Sequence, residues 1–515
     1  MYRLLQPDQN ILFKKIEIDS MMGSSQRVPI YELPKENLTF LSTEHQSFTY
    51  KNLYQFCERI QTHFEAIQPS KDRPIFIVSD SSVETVFIIA ASFLLKVPIL
   101  PIHPKSKTYE LESILDQVEP SAVFSNRAHS MDLLERYPEL ELPDEIFSFD
   151  EEDASVELAL DEPEQIAGYF LTSGSTGMPK IVPIKRRQVF FAATSSAKNF
   201  KPGNNKYWLL CLPLNHVGGI NVIYRSLLYH SAVYLVASFE EEKIRKLLHH
   251  KKSFEVASMV PTMLVKLMED SFFRVHFNFK AILLGGGPIS MDLINKSLTR
   301  GLPIVCSYGM TETCAQIAAN PMLRSGGMYI PKKSVGSVFE PNQIEIRNDK
   351  QESLLYNESG HIWLKGSQVF DGYLDESINQ NYIDEDGWFY TGDFGHINRK
   401  GHLFIENRRT DLIITGGENV NPIEVEEILN SFSSIKESAV VGIPDKKWGQ
   451  KVTAFLVLSD TNSKLNKEEI EKGLNDALRS FKRPKEFVII SKLPKTETHK
   501  IKRSELIRLY REATK

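Results

Sequence analysis

Residues 169–183 read YFLTSGSTGMPKIVP: an apolar run, a loop of hydroxyls and glycines closed by a lysine, and a second apolar run. Gly174 and Gly177 allow a tight turn that exposes backbone N–H groups. Thr172, Ser173, Ser175 and Thr176 add hydroxyl donors, and Lys180 adds a positive charge. Such a set is built to cradle an anion, phosphate above all. It is not a Walker A loop, because Ile181 follows Lys180 where that loop needs Ser or Thr. A loop of this composition also serves as a plain connector, so the phosphate reading requires partners elsewhere in the chain.

On either side of the loop, short apolar runs alternate with amphipathic ones. RPIFIVSD (residues 73–80) predicts a strand, SVETVFIIAASFLLKVP after it a helix, and SAVFSN (residues 121–126) another strand. YWLLCLPL, SAVYLVASF, FEVASMVP, KAILLGGG and LPIVCSYG continue the pattern. Several are continuous apolar runs that stop at Gly, Ser, Asn or Pro, as strands buried on both faces do, and ligands in such sheets gather where the strands end. An α/β fold is expected. The acidic segment of residues 149–165 reads as a solvated connector. Residues 360–405 are shorter segments rich in Gly, Asp and Tyr, as in a small β subdomain. After Arg409, DLIITGGENVNPIEVEEILN predicts a strand, a glycine loop and an amphipathic helix that open a separate small domain ending in a basic tail.

At 515 residues the chain is too long for one core. Its 42% hydrophobic and 25% charged composition is that of a soluble globular protein, and a formal net charge of −5 argues against a coat for nucleic acid or anionic membrane. The N-terminus lacks the regions of a signal peptide. The most apolar helical stretch, residues 86–95, falls far short of the roughly 20 residues a bilayer span needs, so it reads as a core helix. Cys57, Cys211, Cys306 and Cys314 form no CxxC pair, which favours packing roles in a reducing cytoplasm over a disulfide framework or zinc site.

Partners for the phosphate loop lie downstream. SYGMTET (residues 307–313) offers Tyr308 to stack on a purine, Thr311 to hydrogen-bond a phosphate and Glu312 to hold Mg²⁺. YTGDFG (residues 390–395) puts Asp393 in an expected tight turn, suited to ribose hydroxyls. ENRRTDLIITGGEN adds Arg408 and the pair Gly416–Gly417, and LPKTETHKIKR puts Lys500 in a polar loop. Each alone reads as a turn or a solvated charge; five in this order do not.

With these motifs the chain, from about residue 30 onward, resembles the adenylate-forming superfamily of acyl-CoA synthetases, adenylation domains and luciferases. The resemblance implies a large N-terminal domain (residues 1–409) of stacked α/β subdomains plus a β subdomain, and a small α+β C-terminal lid (residues 410–515). It implies activation of a carboxylate by ATP and Mg²⁺, with pyrophosphate released, then transfer of the acyl group to a thiol. Residues 172–180 would hold the β- and γ-phosphates. Tyr308 with its neighbour Gly309, and the turn Gly285, Gly286, Gly287, Pro288, would flank adenine. Thr311 would meet the α-phosphate, Glu312 the metal, Asp393 and Arg408 the ribose, and Lys500 would serve adenylation. Thr410 matches the hinge about which the lid rotates, and Gly416 and Gly417 would let a pantetheine arm pass. Two departures stand out: Thr410 where Asp, Lys or Ser is usual, and His499 where glycine is usual before Lys500.

The chain ends without a carrier domain, so free coenzyme A is the expected acceptor. LPLNHVGGINVIYRSLLY, SYGMTETCAQI and RRTDLIITGGENVNPIEVEEIL are similar to the o-succinylbenzoate–CoA ligases, the menaquinone-pathway branch of the superfamily. That likeness puts His216 beside the reacting carboxylate and makes Arg225 a candidate for a second carboxylate, although Asn215 stands where the branch usually has an aromatic. The alternatives are a ligase for aryl or medium-chain fatty acids, a luciferase-type oxygenase, and a binding protein that keeps the fold without the chemistry. No nucleic-acid or membrane-spanning role is expected, and a homo-oligomer is compatible with the sequence.

Overall fold

A computed structural model describes residues 28–104, 106, 108–125, 133–173, 179–287, 289–323, 334–408, 413–415, 418–445, 448–459, 466–478, 480–495 and 501–513, with the backbone alone at 109, 173, 407, 408, 414, 418 and 419. The chain divides into two compact units. One comprises Met1–Ile344, Leu364–Phe389 and Gly401–Leu403; the other comprises Glu345–Trp363, Tyr390–Lys400 and Phe404–Lys515.

The first unit holds two sheets. The smaller orders its strands Ala122–Ser125, Ile75–Val78, Ile99–Ile102, Ile166–Ser173, Pro179–Lys185. The first four are parallel and the last is antiparallel. Ile75–Val78 and Ile99–Ile102 are buried along their whole length, which is why they read as unbroken apolar runs. Between them runs the helix Val83–Leu94, capped by the Ser82 side chain on the Thr85 N–H and buried from Thr85 to Leu94. It is the core helix expected, and among the described residues no helix is long and apolar enough to cross a membrane.

The larger sheet has nine strands: Ser337–Val338, Ala315–Ala319, Ile304–Met310, Ala281–Leu284, Phe254–Met259, Tyr207–Leu210, Ala232–Leu235, Thr39–Ser42 and Ser47–Thr49. Ile304–Met310 through Thr39–Ser42 are parallel. The outer strands are antiparallel. Leu209, Phe254, Ile282 and Ile304 lie in one apolar core with Leu264 and Leu293 of the connecting helices.

The acidic segment keeps its carboxylates exposed, as a solvated connector does, and is also tied down as a strap. Phe149 stacks on Phe87 (centroids 6.0 Å apart), and Asp150 accepts from the Gln55 amide at 2.8 Å. The carbonyls of Ala159 and Asp161 accept from Arg186 at 3.0 and 2.6 Å. Arg186 is 1% exposed, and burial pushes its guanidinium down to about 10. Backbone carbonyls and the Phe149 ring supply part of the anchoring, and carboxylates of the segment supply the rest, Asp153 pairing with Lys51 at 3.0 Å and Asp161 with Lys96 at 2.9 Å.

A four-stranded sheet, in the order Gln343–Arg347, Gly360–Lys365, Phe389–Ile397, Leu403–Arg408, is the expected β subdomain. The second unit carries the sheet Glu418–Val420, Ile413–Thr415, Gly449–Leu458, Ile435–Asp445, with Glu486–Ile489 beside Gly449–Leu458. Val425, Leu429, Val440, Leu456 and Leu474 fill one core; Ala439, Val441, Phe455 and Leu506 fill another. The basic tail is in fact the helix Arg503–Ala513. It buries Leu506, and Arg503 donates to Glu426 Oε2 at 3.1 Å and to the Val440 carbonyl at 2.9 Å.

Candidate active site

Pairing register makes the opening segment a β-hairpin, with Thr172 opposite Lys180 and Ser173 opposite Pro179. Gly174, Ser175, Thr176 and Gly177 lie outside the described residues, as does the side chain of Ser173. Lys180 Nζ donates to the Tyr382 hydroxyl at 2.5 Å and lies 3.9 Å from the Tyr382 ring centroid and 4.9 Å from that of Tyr373.

The strand Ile304–Met310 pairs in parallel with Ala281–Leu284 only as far as Cys306; from Ser307 it turns to antiparallel pairing with Ala315–Ala319. The motif residues Ser307–Met310 thus begin where the parallel ladder ends, next to the glycine turn that follows Leu284. The Ser307 hydroxyl ties the two by donating to the Leu284 carbonyl at 2.8 Å. Gly286 has φ +75°, and a Cβ on Gly309 would stand 1.8 Å from the Ala315 carbonyl oxygen, so both positions demand glycine. The structure therefore brings Gly286, Gly287, Tyr308 and Gly309 together at one sheet end; Pro288 lies outside the described residues.

Thr311–Thr313 form one 3₁₀ turn, followed by Cys314 at φ 49° and Ala315 at φ 70°. Two successive non-glycine residues in the left-handed region store strain, which their surroundings must hold. Gln368 does so, its amide donating to the carbonyls of Thr313 and Gln316 at 2.8 and 2.5 Å. Glu312 is 8% exposed, and its Oε1 accepts from the Tyr373 hydroxyl at 2.8 Å. The segment bearing Tyr373 is pinned on both sides: Phe370 N–H donates to the Glu312 carbonyl at 2.8 Å, and Leu374 N–H to that of Ile181 at 3.0 Å. Asp371 is gripped by Arg187 and by Lys185, the latter at 2.9 Å. A buried carboxylate oriented by a hydroxyl is donor chemistry that fits a hard divalent cation such as Mg²⁺.

The acid-side candidates lie on and beside the helix Val217–Tyr229. His216 is its N-cap residue and is exposed. Asn221 and Arg225, four residues apart, share a helix face. Asn221 Nδ2 lies 3.4 Å from the Cys314 carbonyl, and Arg225 Nη1 lies 3.4 Å from Gln316 Oε1. Arg225 is 2% exposed, so it is neither a surface residue nor part of a salt bridge across the surface. Its Nε and Nη2 have no hydrogen-bond partner, and neither does Gln316 Nε2. Since Gln316 Oε1 faces the guanidinium, its amide nitrogen must point elsewhere. The result is a buried set of unpaired donors, costly unless an anion fills it.

Asp393 is 3% exposed and lies within the strand Phe389–Ile397, not in the tight turn expected. The turn-like composition comes from Gly392, whose φ of +75° is a local irregularity inside the strand. The Asp393 N–H donates to Thr391 Oγ1 at 3.1 Å. Arg408 ends the strand Leu403–Arg408 with only its backbone described, and Thr410, Gly416, Gly417 and Lys500 lie outside the described residues. All four cysteines are free and buried, and burial pushes the thiols of Cys211 and Cys306 up to about 12, in keeping with packing roles. Sequence reasoning missed Gln316, Tyr373 and Tyr382. Nothing in their spacing marks them, because sheet register and the 370s segment bring them to the motifs.

A family model described as AMP-binding enzyme matches residues 32–374, and one described as AMP-binding enzyme C-terminal domain matches residues 424–500. The chain belongs to the AMP-binding enzymes and has their adenylate-forming fold, with a large N-terminal and a small C-terminal domain. Within that family it is similar to the 2-succinylbenzoate–CoA ligase of Listeria monocytogenes serovar 1/2a: 36% identical over 346 residues, 66% of this chain and 69% of the relative. The 2-succinylbenzoate–CoA ligase of Bacillus subtilis strain 168 is 32% identical over 470 residues, 90% and 93% of the two chains. A solved structure of o-succinylbenzoate CoA synthetase from Bacillus subtilis, in complex with the acyl-adenylate intermediate OSB-AMP, matches with a TM-score of 0.81 at 30% identity, over 91% of this chain and 95% of that one.

Proposed function

We propose that the chain is an AMP-forming acid–CoA ligase acting on 2-succinylbenzoate in menaquinone biosynthesis. One substrate carboxylate attacks the α-phosphorus of ATP, the bond to the β-phosphate bridging oxygen breaks, and pyrophosphate leaves. The coenzyme A thiol, losing its proton, then attacks the acyl carbon of the mixed anhydride, and AMP leaves with the bonding pair. The Bacillus subtilis enzyme has been solved with OSB-AMP and with ATP and magnesium ion, which supports this choice of ligands.

In this reading Lys180 and the loop of residues 172–180 hold the β- and γ-phosphates. Tyr308 and the Gly285–Pro288 turn flank adenine, Thr311 meets the α-phosphate, and Asp393 and Arg408 hold the ribose. Lys500 serves adenylation, Thr410 is the hinge, and Gly416 and Gly417 line the path of the pantetheine arm. Glu312 would hold Mg²⁺, which when bound offsets the negative charge of the phosphates. His216 stands beside the reacting carboxylate. A cytoplasmic location belongs to the same reading, since ATP and coenzyme A are its co-substrates.

The observation that carries the substrate is Arg225. A diacid keeps one carboxylate through both half-reactions, and its partner must be permanently cationic and able to form two parallel bonds. Buried Arg225, with unpaired Nε and Nη2, has that chemistry. A monoacid would leave the guanidinium unmatched. Arg225→Ala should raise KM for diacids selectively over monoacids of equal size in pyrophosphate release assays; an unchanged ratio would remove Arg225 from the acid site.

A further inference from the structure

We propose that Tyr382 is a positioning residue for Lys180, holding its ammonium at the pyrophosphate end of the ATP site. This rests on the reading of Lys180 as a phosphate ligand. The lysine leaves an edge strand of the hairpin, and a four-carbon stem ordinarily samples many rotamers. Here three features restrain it. Nζ donates to the Tyr382 hydroxyl at 2.5 Å, and the ammonium lies 3.9 Å from the Tyr382 ring centroid and 4.9 Å from that of Tyr373. The two rings meet edge to face with centroids 5.2 Å apart. They form a corner that a cation fills, and the faces give electrostatic attraction without neutralising the charge a phosphate needs.

The corner is built rather than incidental. The 3₁₀ turn Glu376–Asn381 delivers Tyr382, whose N–H donates to the Asn379 carbonyl at 2.9 Å. Asn379 staples the turn to the other ring, its Oδ1 accepting from Tyr373 N–H at 2.7 Å and its Nδ2 donating to the Tyr373 carbonyl at 3.2 Å. Gly372 permits this approach: with φ +146°, a Cβ there would lie 2.7 Å from the Asn379 amide nitrogen. Tyr373 in turn holds Glu312, so one short segment sets both the phosphate lysine and the metal carboxylate. With the Tyr382 hydroxyl oxygen accepting a hydrogen bond from one ammonium N–H, its own hydrogen is directed away from Lys180, and the other two ammonium N–H groups are left for the nucleotide.

The test is a double-mutant cycle on the full chain, with KM for MgATP and for pyrophosphate read by acid-dependent ATP–pyrophosphate exchange. Tyr382→Phe keeps the ring and removes the hydroxyl; it should raise both KM values at least about tenfold, and Tyr382→Ala at least about thirtyfold, the sizes expected for one charge-assisted bond and for that bond plus a cation–π contact. In a Lys180→Ala background neither change should add anything, because a residue acting only through Lys180 has nothing left to position. Equal effects of Tyr382→Ala with and without Lys180 would overturn the proposal, as would unchanged or lower KM values for Tyr382→Ala alone. If Lys180→Ala itself leaves KM for MgATP unchanged, the phosphate reading of Lys180 falls instead.

Discussion

The Tyr373 hydroxyl donates to Glu312 Oε1 at 2.8 Å, while the face of the same ring lies 4.9 Å from the Lys180 ammonium. One side chain thus touches both the carboxylate read as the metal ligand and the lysine read as the phosphate ligand. Tyr373→Phe keeps the ring and deletes the bond to a buried carboxylate, a loss of about 1.5–3 kcal/mol for a charge-assisted bond. Acid-dependent ATP–pyrophosphate exchange should fall at least about tenfold, with the Mg²⁺ concentration for half-maximal rate moved upward. A Mg²⁺ titration of both proteins checks this, and coincident midpoints would show that Tyr373 does not orient Glu312.

Arg225 should cost stability in the absence of substrate. Its Nε and Nη2 are buried without partners, and replacing buried charge by an apolar side chain of similar length is often neutral or stabilising by about 1–4 kcal/mol. Arg225→Met is expected to raise Tm of the unliganded protein while abolishing the preference for diacids. Calorimetry beside an acid panel reads both; a lower Tm together with retained selectivity would make Arg225 a structural residue.

Lys500→Ala should abolish adenylation yet leave thioester formation from supplied acyl-adenylate intact, because the resemblance gives this lysine a role in the first half-reaction alone. Single-turnover assays of the two steps separate the outcomes. Equal loss in both would contradict a lid that serves them in turn.

Asp371 supplies a pH test of the clasp around Tyr373. Burial acts to raise its pKa, but the Arg187 and Lys185 charges outweigh burial and hold the carboxyl below the ordinary Asp range. A depressed carboxylate stabilises the fold above its unfolded pKa of about 3.9, and that contribution disappears as pH falls through the lowered folded value. The Tm deficit of Asp371→Asn should therefore be full at neutral pH and shrink toward zero in strong acid. A deficit independent of pH would mean that packing, and not charge, sets it.

Much of this arrangement was legible in the sequence. Unbroken apolar runs such as those containing Ile75–Val78 and Ala281–Leu284 marked strands buried along their whole length. Ser307–Thr313 were recognisable because their chemistry is local: an aromatic, a glycine, hydroxyls and an acid in seven consecutive positions. What stayed hidden depends on long-range register. Gln316 matters because an antiparallel strand turns it toward a helix 91 residues earlier, and Tyr382 because its turn returns to a lysine 202 residues away. The anchoring of the acidic strap stayed hidden for the same reason, since carbonyls held by Arg186 leave no trace in side-chain composition.

The most direct measurement is AMP release by the purified full chain with ATP, Mg²⁺ and coenzyme A, across a panel of acids that pairs 2-succinylbenzoate with monoacid counterparts and with aryl and medium-chain fatty acids. The expected result is stoichiometric AMP and thioester with 2-succinylbenzoate, at a kcat/KM at least about a hundredfold above any monoacid, the discrimination anticipated when a buried polar group loses its partner. Turnover of a monoacid with equal or greater kcat/KM, or folded protein that releases AMP with no acid in the panel, would contradict it.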